Sequence, residues 1–120
     1  MTPQPSHAAY TSAAVDGIFR ALSDPTRRQV LERLSAGQAS TSELAAPFKM
    51  AMPSFLEHMM ALERSGLVSS RKIGRVRTYQ LVPEQMRLAE DWLSRQRTLW
   101  TRRLDQLDSY LLTLKEETPE

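Results

Sequence analysis

A chain of 120 residues, 41% of them hydrophobic and 25% charged, has room for one domain and the composition of a folded one. Cysteine is absent, which removes disulfide scaffolds, thiolate metal sites and cysteine nucleophiles together, and no apolar run approaches the roughly 20 residues of a membrane span. Sixteen basic against fourteen acidic residues leave a net charge of only +2, too little by itself to point to nucleic acid.

The opening residues have neither the basic start nor the apolar stretch of a signal peptide, so a cytoplasmic protein is expected. Residues 1–12, with Pro3, Pro5, Ser6, Thr11 and Ser12, offer little to bury and are expected as a flexible arm. From Ala13 the period is helical, and Val15, Ile18, Phe19 and Leu22 fall on one face. Ser23-Asp24-Pro25-Thr26 then stops one helix and starts another. Asp24 suits the N-cap, and Pro25 suits the first helical position, where a missing N–H costs nothing. The second helix is expected to reach about Ala36 with Val30, Leu31 and Leu34 inward, and to end at Gly37.

Ser40-Thr41-Ser42-Glu43 reads as a capping box opening a third helix with Leu44, Ala45 and Phe48 on its apolar face. Pro47 limits that helix to about two turns. Pro53 starts a fourth, with Phe55, Met59 and Leu62 inward and Gly66 closing it; Met52 falls at its N-cap and offers no acceptor. The period then alternates. Leu67–Arg71 and Val76–Leu81 predict two strands, with Lys72-Ile73-Gly74-Arg75 as the turn between them. Pro83 ends the second strand, and a helix is predicted over roughly Glu84 to Lys115. Its apolar positions include Leu88, Trp92, Leu93, Leu99, Trp100, Leu104, Leu107, Leu111 and Leu114. From Trp100 the steps alternate four and three, as in a coiled-coil seam, and one small domain can hardly cover the whole stripe. Residues 116–120 read as a frayed acidic tail.

Charge follows this organisation. Residues 64–83 hold Arg64, Arg71, Lys72, Arg75 and Arg77 with no acid, whereas the segments on either side are slightly acidic. Four of the five lie on the predicted hairpin. Thirteen of the sixteen basic residues are arginine, the side chain suited to phosphates and guanine edges.

The run Phe19-Arg20-Ala21-Leu22-Ser23-Asp24-Pro25-Thr26-Arg27-Arg28 resembles the opening of ArsR-type transcriptional regulators. Ser42-Glu43-Leu44-Ala45, then Pro53, His58, Leu62 and Gly66-Leu67-Val68, are similar to that family's helix-turn-helix, and Gly74-Arg75, Arg77 and Tyr79 to its wing. Asp91-Trp92-Leu93 followed by Trp100 resembles a metal-independent branch with aromatic residues on the last helix. The resemblance covers about residues 15–115. It implies a mainly α fold with a small β-hairpin: a winged helix-turn-helix core over 13–83 and a dimerisation helix over 84–115. It also implies a homodimer on double-stranded operator DNA, usually a repressor, released by an inducer.

On that reading Ser54, Glu57, His58 and Ala61 of the fourth helix are candidates for the DNA groove. Arg71, Lys72, Arg75 and Arg77 are the wing contacts, and Arg27 and Arg28 touch phosphates or are simply solvated. His58 is as readily a residue that braces the wing, and Arg77 one that stacks on Tyr79. The dimer interface is expected at Val15, Phe19, Trp92, Trp100, Leu104, Leu107, Leu111 and Leu114.

Two departures from the family pattern matter. Where metal-sensing members carry a Cys-x-Cys pair, this chain has Glu43-Leu44-Ala45-Ala46-Pro47, and it has no histidine after His58. No metal at the known family positions and no cofactor are expected, and any inducer of the kind the resemblance implies is an unidentified small molecule. On the fourth helix, family members tend to read V-S-K-H-L-K where this chain has Phe55-Leu56-Glu57-His58-Met59-Met60. Glu57 repels phosphate unless it accepts from a cytosine amino group, and Leu56 and Met60 suit thymine methyls or another protein. The alternative function is therefore a winged-helix protein-interaction module with weak DNA binding. No Gly-rich phosphate loop, nucleophile–base pair or metal cluster suggests an enzyme.

Overall fold

The computed structural model describes residues 7–117, with elements in the order α1 (His7–Leu22), α2 (Pro25–Leu34), β1 (Ala39–Ser40), α3 (Thr41–Ala45), α4 (Met52–Arg64), β2 (Val68–Ile73), β3 (Val76–Leu81) and α5 (Pro83–Glu117). Five helices and a small antiparallel sheet are the expected winged helix-turn-helix. Among the described residues, no helix is long and apolar enough to cross a membrane.

The local signals explain most boundaries. Asp24 caps α2 by accepting from Arg27 N, with Pro25 in the first turn. The Ser40–Glu43 capping box is complete, with Glu43 N donating to Ser40 Oγ at 3.2 Å and Ser40 N donating to Glu43 Oε1 at 3.3 Å. Those Ser40 bonds, then the Arg33 charge 3.6 Å away, hold the Glu43 carboxyl below its ordinary value. Gly66 ends α4 at φ +82°, where the Gln85 side chain approaches so closely that a Cβ would meet it at 2.9 Å. Gln85 Nε2 there donates to Ser65 O at 2.9 Å, tying the first turn of α5 to the end of α4.

Several boundaries differ from expectation. α1 begins at His7, inside the segment read as a flexible arm, because its alanines and small polar residues are compatible with helix; residues 1–6 of that arm lie outside the described residues. α3 stops at Ala45, so Phe48 is beyond it and stacks on Phe55 with ring centroids 5.8 Å apart. The N-cap of α4 is Ala51 rather than Met52, with the same consequence: no side-chain acceptor. The hairpin turn has two residues, since β2 runs on to Ile73, which pairs with Val76. Gly74 at φ +63° takes the first turn position, as a primed turn requires. Ala39–Ser40 adds a third strand, paired with Tyr79 and Thr78, so the sheet order is β1-β3-β2. Two residues carry no alternation by which a sequence could reveal them.

Met1–Ala89 and Glu90–Glu120 are two compact units, so the division falls inside α5 rather than at its start. In the first unit Ile18, Val30, Leu44, Phe55, Met59, Leu62, Leu67 and Tyr79 form the core, with Ala89 as its contribution from α5. Phe55, Met59 and Leu62 are fully buried, and truncating one of them to alanine costs about 2–5 kcal/mol. The second unit is helical through Glu117, including Glu116 and Glu117 of the expected frayed tail; residues 118–120 lie outside the described residues.

Candidate nucleic-acid interface

α1 ends at Leu22 with no glycine to close it, so its last carbonyls need donors from outside the helix. Ser23 Oγ supplies one, to Arg20 O at 2.6 Å. Arg27 and Arg28 fold back across the corner to supply the others. Arg27 Nε donates to Ala21 O at 2.7 Å, Arg27 Nη2 to Arg20 O at 3.0 Å, and Arg28 Nη1 to Leu22 O at 2.7 Å. The Asp-Pro-Thr-Arg-Arg run is therefore one local device: Asp24 starts α2, and two arginines in its first turns finish α1. Both arginines, expected at phosphates or in solvent, use donors inside the chain.

His58 of α4 joins this corner. Its Nδ1 lies 3.2 Å from Arg27 Nη1 and 3.7 Å from Asp24 Oδ2. A guanidinium can only donate, so in the Arg27 contact Nδ1 accepts and the neutral ring carries its hydrogen on Nε2. The Asp24 distance is too long for a hydrogen bond, so Arg27 sets the ring. Burial opposes the charged form of Asp24, but the hydrogen bond from Arg27 N, the His58 charge when that ring is protonated, and the Arg27 charge outweigh it and hold the carboxyl below its ordinary value. The polar contacts of His58 are thus with the α1–α2 corner.

An α-helix turns about 100° per residue, so the buried Phe55–Met59–Leu62 edge of α4 fixes its outer face. Opposite that edge lie Pro53, Glu57, Met60 and Arg64, with Leu56 on one flank and Ser54 and Ala61 on the other. Ser54 and Glu57 are exposed as expected. Ala61 instead borders a cleft between α1, α2 and the end of α4. Met60, expected outward together with Leu56, is 55% exposed on that outer face.

The wing register divides its cations. Lys72 pairs directly with Arg77 on the face that also carries Ser70 and the buried Tyr79, whereas Arg71 pairs with Thr78 on the other face, and Arg75 sits in the turn. Like charges directly across a ladder repel. No acid answers them, for the carboxylates that approach a basic side chain within 4 Å among the described residues are Glu43, at Arg33, and Asp24, at His58. Arg77 Nη1 donates to Ser70 Oγ at 2.8 Å rather than stacking on Tyr79. Tyr79 anchors the base of the wing, and burial, then the Glu63 charge, raise the pKa of its hydroxyl. Ser69, Arg71, Thr78 and Gln80 line a shallow polar groove of about 380 Å³ on the wing.

Of the expected interface residues, Val15 is 3% exposed in the single chain and Phe19 packs, partly buried, against the core, so both are largely covered by their own chain. On α5, Trp100, Leu104, Leu107 and Leu111 are more than half exposed, and Trp92 and Leu114 somewhat less. Among the described residues, no three His, Asp or Glu side chains gather into a set able to hold a metal ion.

A helix-turn-helix domain family matches residues 22–71. The chain is 35% identical over 94 residues to the HTH-type transcriptional regulator Rv2034 of Mycobacterium tuberculosis, an alignment covering 78% of this chain and 85% of that protein. It is 28% identical over 79 residues to the transcriptional repressor SdpR of Bacillus subtilis, covering 66% and 88%. Among solved structures, an ArsR family transcriptional regulator, RHA00566, is 51% identical with a TM-score of 0.73, covering 75% of this chain and 93% of that one. An ArsR-like transcriptional regulator from Rhodococcus sp. RHA1 is 32% identical with a TM-score of 0.72, covering 83% and 94%. Helix-turn-helix, wing and long last helix thus come with sequence identity over most of the chain, and the protein belongs to the ArsR family of winged helix-turn-helix transcriptional regulators, DNA-binding proteins rather than enzymes.

Proposed function

We propose that the chain is a cytoplasmic homodimeric repressor that binds double-stranded operator DNA at its own or neighbouring genes and answers an inducer other than a metal at the known family positions. The observation that carries the DNA reading is the unanswered Lys72–Arg77 pair, with Arg71 on the opposite face and Arg75 at the tip. A ribbon with cations on both faces and at its end suits a groove walled by phosphates on both sides. The start of α4 supports it, since no side chain caps that helix and its N–H groups suit a phosphate oxygen. Relatives named as repressors support the direction of regulation.

For the dimer, the support is the α5 stripe, whose Trp100, Leu104, Leu107 and Leu111 repeat at seam spacing and are exposed in the single chain. For the inducer class, it is the donor set, with no thiolate in the chain and no imidazole on α5. The test is selection of fragments from sheared genomic DNA at about 150 mM salt, near physiological screening. Enrichment of a few inverted-repeat sites supports the reading, while retention without enrichment counts against sequence-specific binding. The exposed Met52, Leu56 and Met60 favour a second reading, in which α4 docks on another protein. Strong salt dependence of duplex binding separates the two.

A further inference from the structure

Between α1, α2 and the end of α4 lies an open cleft of about 420 Å³, bordered by Gly17, Arg20, Arg27, Arg64 and Ser65. Three guanidinium-bearing side chains line one space, and no acid is among its lining residues. Among the described residues, neither Arg20 nor Arg64 makes an ion pair, and Arg27 is held by the carbonyls of Arg20 and Ala21 and by His58. Cations gathered in this way repel one another unless an anion shares them. The floor is open for a separate reason. Gly17 sits in the interior of α1, where glycine is less favourable than alanine, and a Cβ there would meet nothing within 4 Å. A larger side chain at 17 would enter the space that the glycine leaves.

We propose that this cleft binds a small anionic ligand bearing a phosphoryl or carboxylate group, held by Arg20 and Arg64 with help from Arg27. Its volume falls within the range of small-molecule sites, at the lower end. Arg27 gives the site a route to the DNA surface. A ligand oxygen that takes the Arg27 Nη hydrogens competes with His58 Nδ1, and His58 is on the helix expected in the groove. Ligand binding therefore loosens His58 and lowers duplex affinity, and by linkage duplex lowers ligand affinity. This regulatory consequence rests on the DNA-binding reading; the binding of an anion does not.

The experiment is a titration of the whole, DNA-free chain with inorganic phosphate at constant ionic strength, followed by NMR at the arginine Nε–H groups and the backbone amides. Saturable shifts confined to Gly17, Arg20, Arg27, Arg64 and Ser65 are expected, about tenfold weaker in Arg20→Gln and absent in Gly17→Leu. Shifts that spread over the surface, never saturate, or survive both substitutions overturn the site. The second arm is duplex affinity in plain chloride. Both variants are expected to match the parent within about twofold there and to lose the extra weakening that phosphate causes in the parent. If they lose duplex affinity in chloride instead, the arginines belong to the DNA backbone and the proposal fails. A parent chain that shows the saturable titration yet binds no duplex supports the site while refuting the function proposed above.

Discussion

Arg27 Nη1 and His58 Nδ1 are 31 residues apart in the chain and 3.2 Å apart in the fold, and through them the α1–α2 corner reaches the helix-turn-helix. One guanidinium closes the end of α1 and meets the ring on α4, while the backbone N–H of the same residue donates to Asp24, the N-cap of α2. Removing it leaves carbonyls at a half-buried helix end with fewer donors, which costs about 1–3 kcal/mol. Arg27→Ala is therefore expected to unfold at lower urea, and Arg27→Lys to recover only part of the loss, because an ammonium cannot reach three acceptors in a planar fork. Urea midpoints check this, and a double-mutant cycle with His58→Ala isolates the coupling between the two. Midpoints equal to the parent's would mean that water replaces the clamp.

The elements with short-range chemistry were legible in the sequence. Asp24-Pro25 and Ser40–Glu43 are caps whose partners lie three residues away, and the Phe55–Met59–Leu62 spacing marks the buried edge of α4. What depended on distant partners was not. Arg27 reads as an ordinary surface cation, and its engagement with Ala21 and His58 follows only from the sharp corner between α1 and α2. Ala39–Ser40 becomes a strand because the edge of Tyr79 and Thr78 is available, not because of its own pattern. On α4 the apolar spacing is enough to place Leu56 and Met60 outward, but nothing in it shows that His58 meets Arg27 across the corner. Arg77 was ambiguous for the same reason, since alternation assigns it a face but not Ser70 as its partner.

The wing cations are expected to act through phosphates. Replacing Arg75 and Arg77 together by alanine removes two charges that no acid offsets, while the Ile73–Val76 closure of the hairpin stays in place. Duplex binding should weaken on every sequence alike, and the slope of log affinity against log salt should flatten by about 1.8 per bound protomer, or about 0.9 per lost phosphate contact. Fluorescence anisotropy at several salt concentrations measures both. An unchanged slope would take the wing off the DNA.

Asp24 gives the α1–α2 corner an acid dependence. Its carboxyl is held below the ordinary value of 3.8, so the charged form stabilises the fold above that pH, and the contribution is lost as pH falls through the lowered folded-state value. Serine caps a helix without the charge. Asp24→Ser is expected to be less stable than the parent by about 0.5 kcal/mol at neutral pH, with the gap closing below pH 3.8. Urea midpoints across the acid range test the sign: a gap that persists or widens in acid would assign the effect to packing rather than to charge.

The α5 stripe yields the sharpest separation between its two possible roles. Leu107 is 51% exposed in the single chain, so a charge there burdens no core within the protomer. At the seam of a dimer, the same charge is taken out of water with no partner to answer it, and association fails. Leu107→Glu is therefore expected to keep its helical circular dichroism and to run as a single 13.7 kDa chain by light scattering where the parent runs as a pair. Its affinity for an inverted-repeat duplex should then drop toward that of one half-site, because the second recognition helix is no longer tethered at one helical turn. A folded variant that remains a dimer would place the interface elsewhere, and a parent that is itself a single chain would remove the seam altogether.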